Sequence, residues 1–285
     1  MTRHAHKNSF LEVLPNTFIA HSFQLTESEM SVCKPVLCVI AQGGKDVFLN
    51  DELFHYGAGD YLISTLEMPI KSSVVQASED KPYLNFLIGL DLNAVTDVMM
   101  KLPVVKPSNT IVKAMDVSPL DTNLLEVVVK LARLLDEPDD AAFLAPLIMR
   151  EIIYRLLKGK QGTRLRQRIA VEGNTQRITR AVQHIRQHFE CPLKVDVLAH
   201  QIGMSVSGFH QHFKTVTAMS PLQFQKQIRL QEARRLMLSD NIDVATASVR
   251  VGYDDPSYFS REYKKLFGTP PQRDIASLRS HISIT

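Results

Sequence analysis

The sequence predicts an α+β chain of two domains. The first is a β-rich sandwich or barrel carrying two amphipathic helices, and the second is all-α, with two helix-turn-helix motifs joined by a long helix. Three observations predict it. Short apolar runs broken by turn residues fill 35–91, an apolar face at helical spacing replaces them after Pro119, and a helix, Gly turn, helix pattern occurs twice beyond Thr175. A length of 285 residues suits this division, since domains average roughly 100 to 200 residues.

Residues 1–16 are polar, carry His4, His6 and Lys7, and show no periodicity, which predicts a mobile arm. From Pro35 onward the runs VLCVIAQ, VFL, LFHY, YLIS, IKSSVV and YLNFLIGL alternate with turn residues such as Gly43-Gly44, Asn50-Asp51 and Gly57-Ala58-Gly59-Asp60. Enrichment in Val, Ile, Phe and Tyr supports short antiparallel strands. A short helix is expected near 93–101. Leu120, Leu124, Val127, Val128, Leu131, Leu134 and Leu135 predict an amphipathic helix over about 119–136, and a second is expected at 142–157 after a break at Pro138-Asp139-Asp140. The regulatory or dimerisation domain would span 17–157. Residues 158–174, with five Lys or Arg and three Gly, read as a linker to a domain at 175–285.

In that domain a helix over 176–189 precedes one over 194–202 that ends at Gly203. Ser205 can cap a further helix burying Phe209, Phe213 and Val216. Downstream, Asp243 can cap a helix ending before Gly252, and Asp255-Pro256 opens one that buries Phe259, Tyr263 and Phe267. The small residues Ala199 and Ser248 each lie four before the turn glycine. The two motifs fall at about 194–217 and 243–267, and Ser220-Pro221 starts the long helix between them.

The net charge of +3 is unevenly spread. Residues 1–173 hold 18 Lys+Arg against 21 Asp+Glu, whereas 174–285 hold 15 against 9, a local balance of +6 that suits a polyanion. No apolar run approaches the ~18 to 20 residues of a membrane span. Residues 1–30 lack a secretory pattern, so the expected compartment is the cytoplasm. Cys33, Cys38 and Cys191 are too few and scattered for a disulfide framework and read as buried thiols. His210 and His212 lie two apart on a helix and face different ways, His55 stands alone on a strand, and His4-Ala5-His6 lies in the arm. With no nucleophile–base set, phosphate-cradling loop or Cys-x-x-Cys pair, neither catalysis nor a metal or other cofactor is expected.

The core positions leave Ser207, His210, Gln211 and Lys214 facing outward in the first motif, and Ser257, Ser260, Arg261 and Lys264 in the second. LAHQIGMSVSGFHQHFKTVTAMSPLQFQKQIRLQEARRLM and VATASVRVGYDDPSYFSREYKKLFGTPP resemble the two halves of the AraC/XylS transcriptional regulators, and PVLCVIAQGGKDVFLNDELFHYGAGDYLIS is similar to their cupin-like regulatory domain. Ala218 stands where that family often has Gly. The resemblance implies base contacts from Ser207, His210, Gln211, Ser257, Ser260 and Arg261. Gln suits adenine and Arg suits guanine. Lys214, Arg229, Lys264 and Lys265 are expected at phosphates. The implied function is a sequence-specific regulator with a double-stranded DNA operator, a small-molecule effector, a second copy of the chain in a homodimer, and RNA polymerase as a candidate partner. The alternatives are a constitutive DNA-binding scaffold without ligand, or a cupin-type metalloenzyme fused to a DNA-binding domain.

Overall fold

A computed structural model describes residues 10–103, 111–169 and 174–282. The chain divides into two compact units, formed by most of 1–176 and most of 177–285. Among the described residues no helix is long and apolar enough to cross a membrane.

The first unit is a two-sheet sandwich. Its larger sheet contains β1 (Phe10–Leu14), β2 (Thr17–Ser22), β4 (Val36–Gln42), β7 (Asp60–Ser64), β9 (Tyr83–Gly89) and β10 (Met115–Pro119), in the order β1-β2-β9-β4-β7-β10. The smaller sheet orders β3 (Glu29–Cys33), β8 (Met68–Gln76), β5 (Gly44–Leu49) and β6 (Glu52–Gly57) as β3-β8-β5-β6. Turn chemistry sets these connections. Gly43 turns β4 into β5 at φ +82°, where a Cβ would lie 2.3 Å from the Gln76 carbonyl oxygen. Asn50, at φ +55°, closes the β5–β6 hairpin with Leu49 opposite Glu52.

Alternation along the strands assigns the larger sheet's two faces. Leu37, Val39, Tyr61, Ile63, Phe86 and Ile88 point to a core shared with helices α1 (Leu92–Met99), α2 (Thr122–Arg133) and α3 (Pro138–Lys158). Cys38, Ile40, Leu62, Ser64, Tyr83 and Asn85 occupy the alternate positions, on the side where Tyr56 of β6 reaches Cys38. Asp91 and Asp121 cap α1 and α2 through the amides of Asn93 and Leu124, at 2.9 and 3.0 Å.

Three sequence expectations change here, and one strand appears that the sequence does not announce. Residues 1–9 of the expected arm lie outside the described residues, but Phe10–Leu14 forms an edge strand with Leu11 opposite Ile19, because its apolar side chains pair with β2. Pro138 opens α3 rather than breaking it: proline suits the first helical turn, and Asp139 and Asp140 there face the helix's positive end. The expected linker contains α4 (Gly162–Ile169), which buries Leu165 and Arg164. The Arg164 guanidinium donates to Asp116 of β10 at 2.8 Å and to Gln161 at 2.8 Å, so this arginine is a structural partner and not a solvated linker charge. Strand β10 itself carries no apolar alternation and forms through its pairing with β7, Met115 opposite Ser64.

The second unit contains α5 (Asn174–Gln187), α6 (Val195–Gln201), α7 (Val206–Thr217), α8 (Pro221–Ser239), α9 (Val244–Arg250), α10 (Pro256–Phe267) and α11 (Pro271–Ile282). Its repeat is α6–turn–α7 and α9–turn–α10. Gly203 and Gly252 hold the turns at φ +69° and +87°, and Ala218 and Gly268 end the recognition helices at φ +59° and +82°. Ser220 and Gln223 form a reciprocal capping box at the start of α8, with bonds of 3.2 and 3.0 Å. The repeats differ inside. Phe213 meets Phe224 edge to face at 5.6 Å in the first. The equivalent residues in the second are Tyr263 and Asp274; the hydroxyl donates to the carboxylate at 2.7 Å, and Arg234 of α8 grips the same carboxylate at 2.8 and 3.0 Å. Where Arg234 stands in the second repeat, the first has the buried Ile185.

Candidate nucleic-acid interface

Helices α7 and α10 present the two sets of outward residues. Phe209, Phe213 and Val216 are buried along α7, leaving Ser207, His210, Gln211 and Lys214 exposed; Phe259 and Tyr263 are buried along α10, leaving Ser257, Arg261, Lys264 and Lys265 exposed. Ser260 is half-buried, and its hydroxyl donates to the Pro256 carbonyl at 2.9 Å. Both helix starts are capped, Gly208 N donating to Ser205 Oγ at 3.2 Å and Ser257 N to Asp255 Oδ1 at 2.8 Å. Each helix therefore offers donors and acceptors on a short, side-chain-fixed first turn. That chemistry suits base edges in a groove wide enough to admit a helix.

Arg229 has a different placement from the one its charge suggested. Its guanidinium donates to the carbonyls of Phe189 at 2.6 Å, Gly252 at 2.8 Å, and Glu190 and Cys191 at 3.0 Å each. Four of its five N–H groups are thereby committed to the protein's own backbone, which withdraws it from phosphate contact. Buried Gln225, one helical turn earlier, donates to Phe189 and Cys191 at 3.0 and 2.7 Å. Together they fasten α8 to the segment between α5 and α6, and Arg229 also to the second Gly turn.

Sequence reading named no effector site, but the sandwich contains an unusual group of neutral polar side chains. Asn85 and Tyr83 are almost wholly buried, yet the Tyr83 hydroxyl and both polar atoms of the Asn85 amide lack a hydrogen-bond partner among the described residues. The amide lies beside the hydroxyl and the Cys38 thiol and tempers the upward shift of both, though its contact with neither meets hydrogen-bond geometry. Burial pushes the Cys38 thiol up to about 12 and Cys33 to about 11, and raises Tyr56 and Tyr83, so all four stay protonated at neutral pH. Cys33 and Cys38 are therefore poor nucleophiles. His55 is exposed, with Nδ1 2.6 Å from Asp46 Oδ1. No group of three His, Cys, Asp or Glu among the described residues could hold a metal ion, and His4-Ala5-His6 lies outside them.

A family model for the AraC-type transcriptional regulator N-terminus matches residues 14–164, and one for a helix-turn-helix domain matches 198–275. The first alone spans more than half of the chain. The chain belongs to the AraC-type transcriptional regulators. Among relatives, it is 21% identical over 251 residues to the lactose operon transcription activator of Staphylococcus xylosus, a match covering 88% of this chain and 85% of that protein. It is 24% identical over 158 residues to the thermoregulatory protein LcrF of Yersinia pestis, covering 55% of this chain and 57% of that one. A crystal structure of ToxT from Vibrio cholerae with an unsaturated fatty acid bound has the same fold, with a TM-score of 0.58, 10% identity, and coverage of 91% and 93% of the two chains.

Proposed function

We propose that this AraC-type regulator reads duplex DNA with α7 and α10 in two successive major-groove segments, and that an uncharged small molecule held between the sheets of its first unit shifts operator affinity. The carrying observation is the repeated helix-turn-helix whose outward faces hold Ser207, His210, Gln211, Ser257, Ser260 and Arg261 over buried aromatic rows. Lys214, Lys264 and Lys265 serve phosphates. The deciding experiment is a footprint of the full chain on sites enriched from a random duplex library. Protection on one face at two segments ~34 Å apart is expected, with affinity falling steeply as salt rises. Protection of a single segment refutes the two-motif reading. Arg261→Ala and Gln211→Ala should each relax preference at one base pair by about 1 to 3 kcal/mol, whereas Lys264→Ala weakens all sequences alike.

The effector reading rests on Asn85 and Tyr83, whose unpaired buried groups fit a neutral hydrogen-bonding ligand. Charges close enough to act on the Cys33 thiol, Lys45 and Glu67, are of opposite sign. Mass spectrometry of small molecules co-purified with the wild-type chain and with Asn85→Leu tests it; identical profiles count against the site. We assign the paired state to the outer face of α3, where Phe143 is 75% and Leu147, one turn on, 53% exposed, with the part-exposed Tyr154 two turns beyond Leu147. Phe143→Glu with Leu147→Glu should give a monomer in sedimentation, and an unchanged dimer removes this interface. In this reading the protein works in the cytoplasm, without a catalytic site, and hands its signal to RNA polymerase.

A further inference from the structure

We propose that Tyr258 is a positioning residue for base recognition by the second motif, its ring holding the Arg261 guanidinium ready for a guanine edge. The inference rests on Arg261 being a base reader. Tyr258 sits in the first turn of α10 and leaves 47% of its surface exposed. The Arg261 Cζ lies over its ring, 5.9 Å from the centroid, at the i,i+3 spacing that puts two side chains side by side on a helix.

The ring is anchored from below. Tyr253, 7% exposed, packs against Tyr258 at 6.0 Å and meets the buried Phe259 edge to face at 5.2 Å, so an aromatic row runs from the core to the surface and ends under the guanidinium. Among the described residues no carboxylate pairs with Arg261. An arginine held by a ring face keeps its planar fork of N–H donors for a ligand, whereas one held by a carboxylate has spent them. Ring contact also narrows the rotamers of a long side chain before DNA arrives, which lowers the ordering cost of a two-pronged contact to guanine O6 and N7. The first motif lacks this device: Gly208 and Gln211 occupy the equivalent positions.

The test uses the full chain and its library-enriched site, with every base pair substituted in turn and the affinity penalty measured at each. Arg261→Ala identifies the base pair that Arg261 reads. Tyr258→Ala should cut the penalty at that same pair about two- to fivefold, leave the penalties at other pairs unchanged, and add nothing in an Arg261→Ala background. Tyr258→Phe, which keeps the ring, should retain the wild-type penalty. Tyr258→Leu, which keeps apolar bulk over Tyr253 but has no π face, should behave as the Ala variant does and controls for misfolding. A uniform loss across all sequences with Tyr258→Ala, or a Phe variant as indiscriminate as the Ala variant, overturns the proposal. If Arg261→Ala alters no base preference, the reading of Arg261 fails first, and the two failures are told apart by that single variant.

Discussion

Replacing the turn glycine of each motif by alanine gives an internal control for how these turns are held. Gly203 and Gly252 are equivalent, and both sit in the left-handed region, at φ +69° and +87°. Alanine pays about 1 to 2 kcal/mol there, offset in part by the ~0.4 to 1 kcal/mol that it removes from unfolded-chain entropy. At Gly203 little else opposes it, since the nearest atom to a new Cβ is Arg177 Cζ at 3.9 Å. Gly203→Ala should therefore cost about 1 kcal/mol. At Gly252 a Cβ would lie 2.0 Å from the Glu190 carbonyl oxygen and 2.8 Å from Arg229 Nη2. Relief requires moving the Glu190 peptide and breaking one or two of the Arg229 bonds, each worth about 1.5 to 3 kcal/mol for a charged donor. Gly252→Ala should thus cost about 3 to 5 kcal/mol, a large share of the 5 to 15 kcal/mol typical of a whole domain. Hydrogen exchange in the full chain, read as opening free energies at the α6 and α7 amides for Gly203→Ala and at the α9 and α10 amides for Gly252→Ala, measures the difference. Equal costs at the two glycines would show that the Glu190–Arg229 cluster yields freely, and would refute the reasoning.

Asp274→Ala strands Arg234 and the Tyr263 hydroxyl, so amide exchange in α10 should quicken by an amount corresponding to about 3 kcal/mol, with α7 unaffected; equal quickening in both helices would contradict independent halves. Ala218→Gly relieves a left-handed alanine and should raise the unfolding free energy by about 0.5 to 1 kcal/mol in denaturant titration, a loss being the adverse result. Asn85→Leu removes two unpaired buried polar atoms and should stabilise the ligand-free chain by about 1 kcal/mol or more while abolishing any effector response. Destabilisation there would assign Asn85 to the fold instead of to a ligand.

The recognition helices were legible because caps, glycine turns and a 3.6-residue apolar period coincide on the same short segments, twice. Ser207, His210, Gln211, Ser257 and Arg261 follow from that period, since burying the aromatic row leaves them outside. Arg229 shows where the inference stops. The helical period places it at the edge of the apolar face, but its fate depends on carbonyls up to 40 residues earlier in the chain. Arg164 was hidden for the same reason: a run of basic residues looks solvated until Asp116, 48 residues away, turns out to be its partner. Asn85 lies inside the apolar run YLNFLIGL, and alternation assigns it a face without revealing that its contacts with the Tyr83 hydroxyl and the Cys38 thiol fall short of hydrogen-bond geometry.

The unequal interiors of the two motifs mean that they respond to different surroundings. The edge-to-face Phe213–Phe224 contact is an apolar one that weakens on cooling. The Arg234–Asp274–Tyr263 cluster depends on charge, is largely shielded from salt by its burial, and holds better with heat because the penalty for desolvating ions falls. A shift in temperature therefore loads one half of the duplicated reader more than the other. On the proposed reading, an operator held at two segments can loosen at one of them while the chain stays folded, and the duplication then provides two grips with separate release conditions instead of a doubled copy of one.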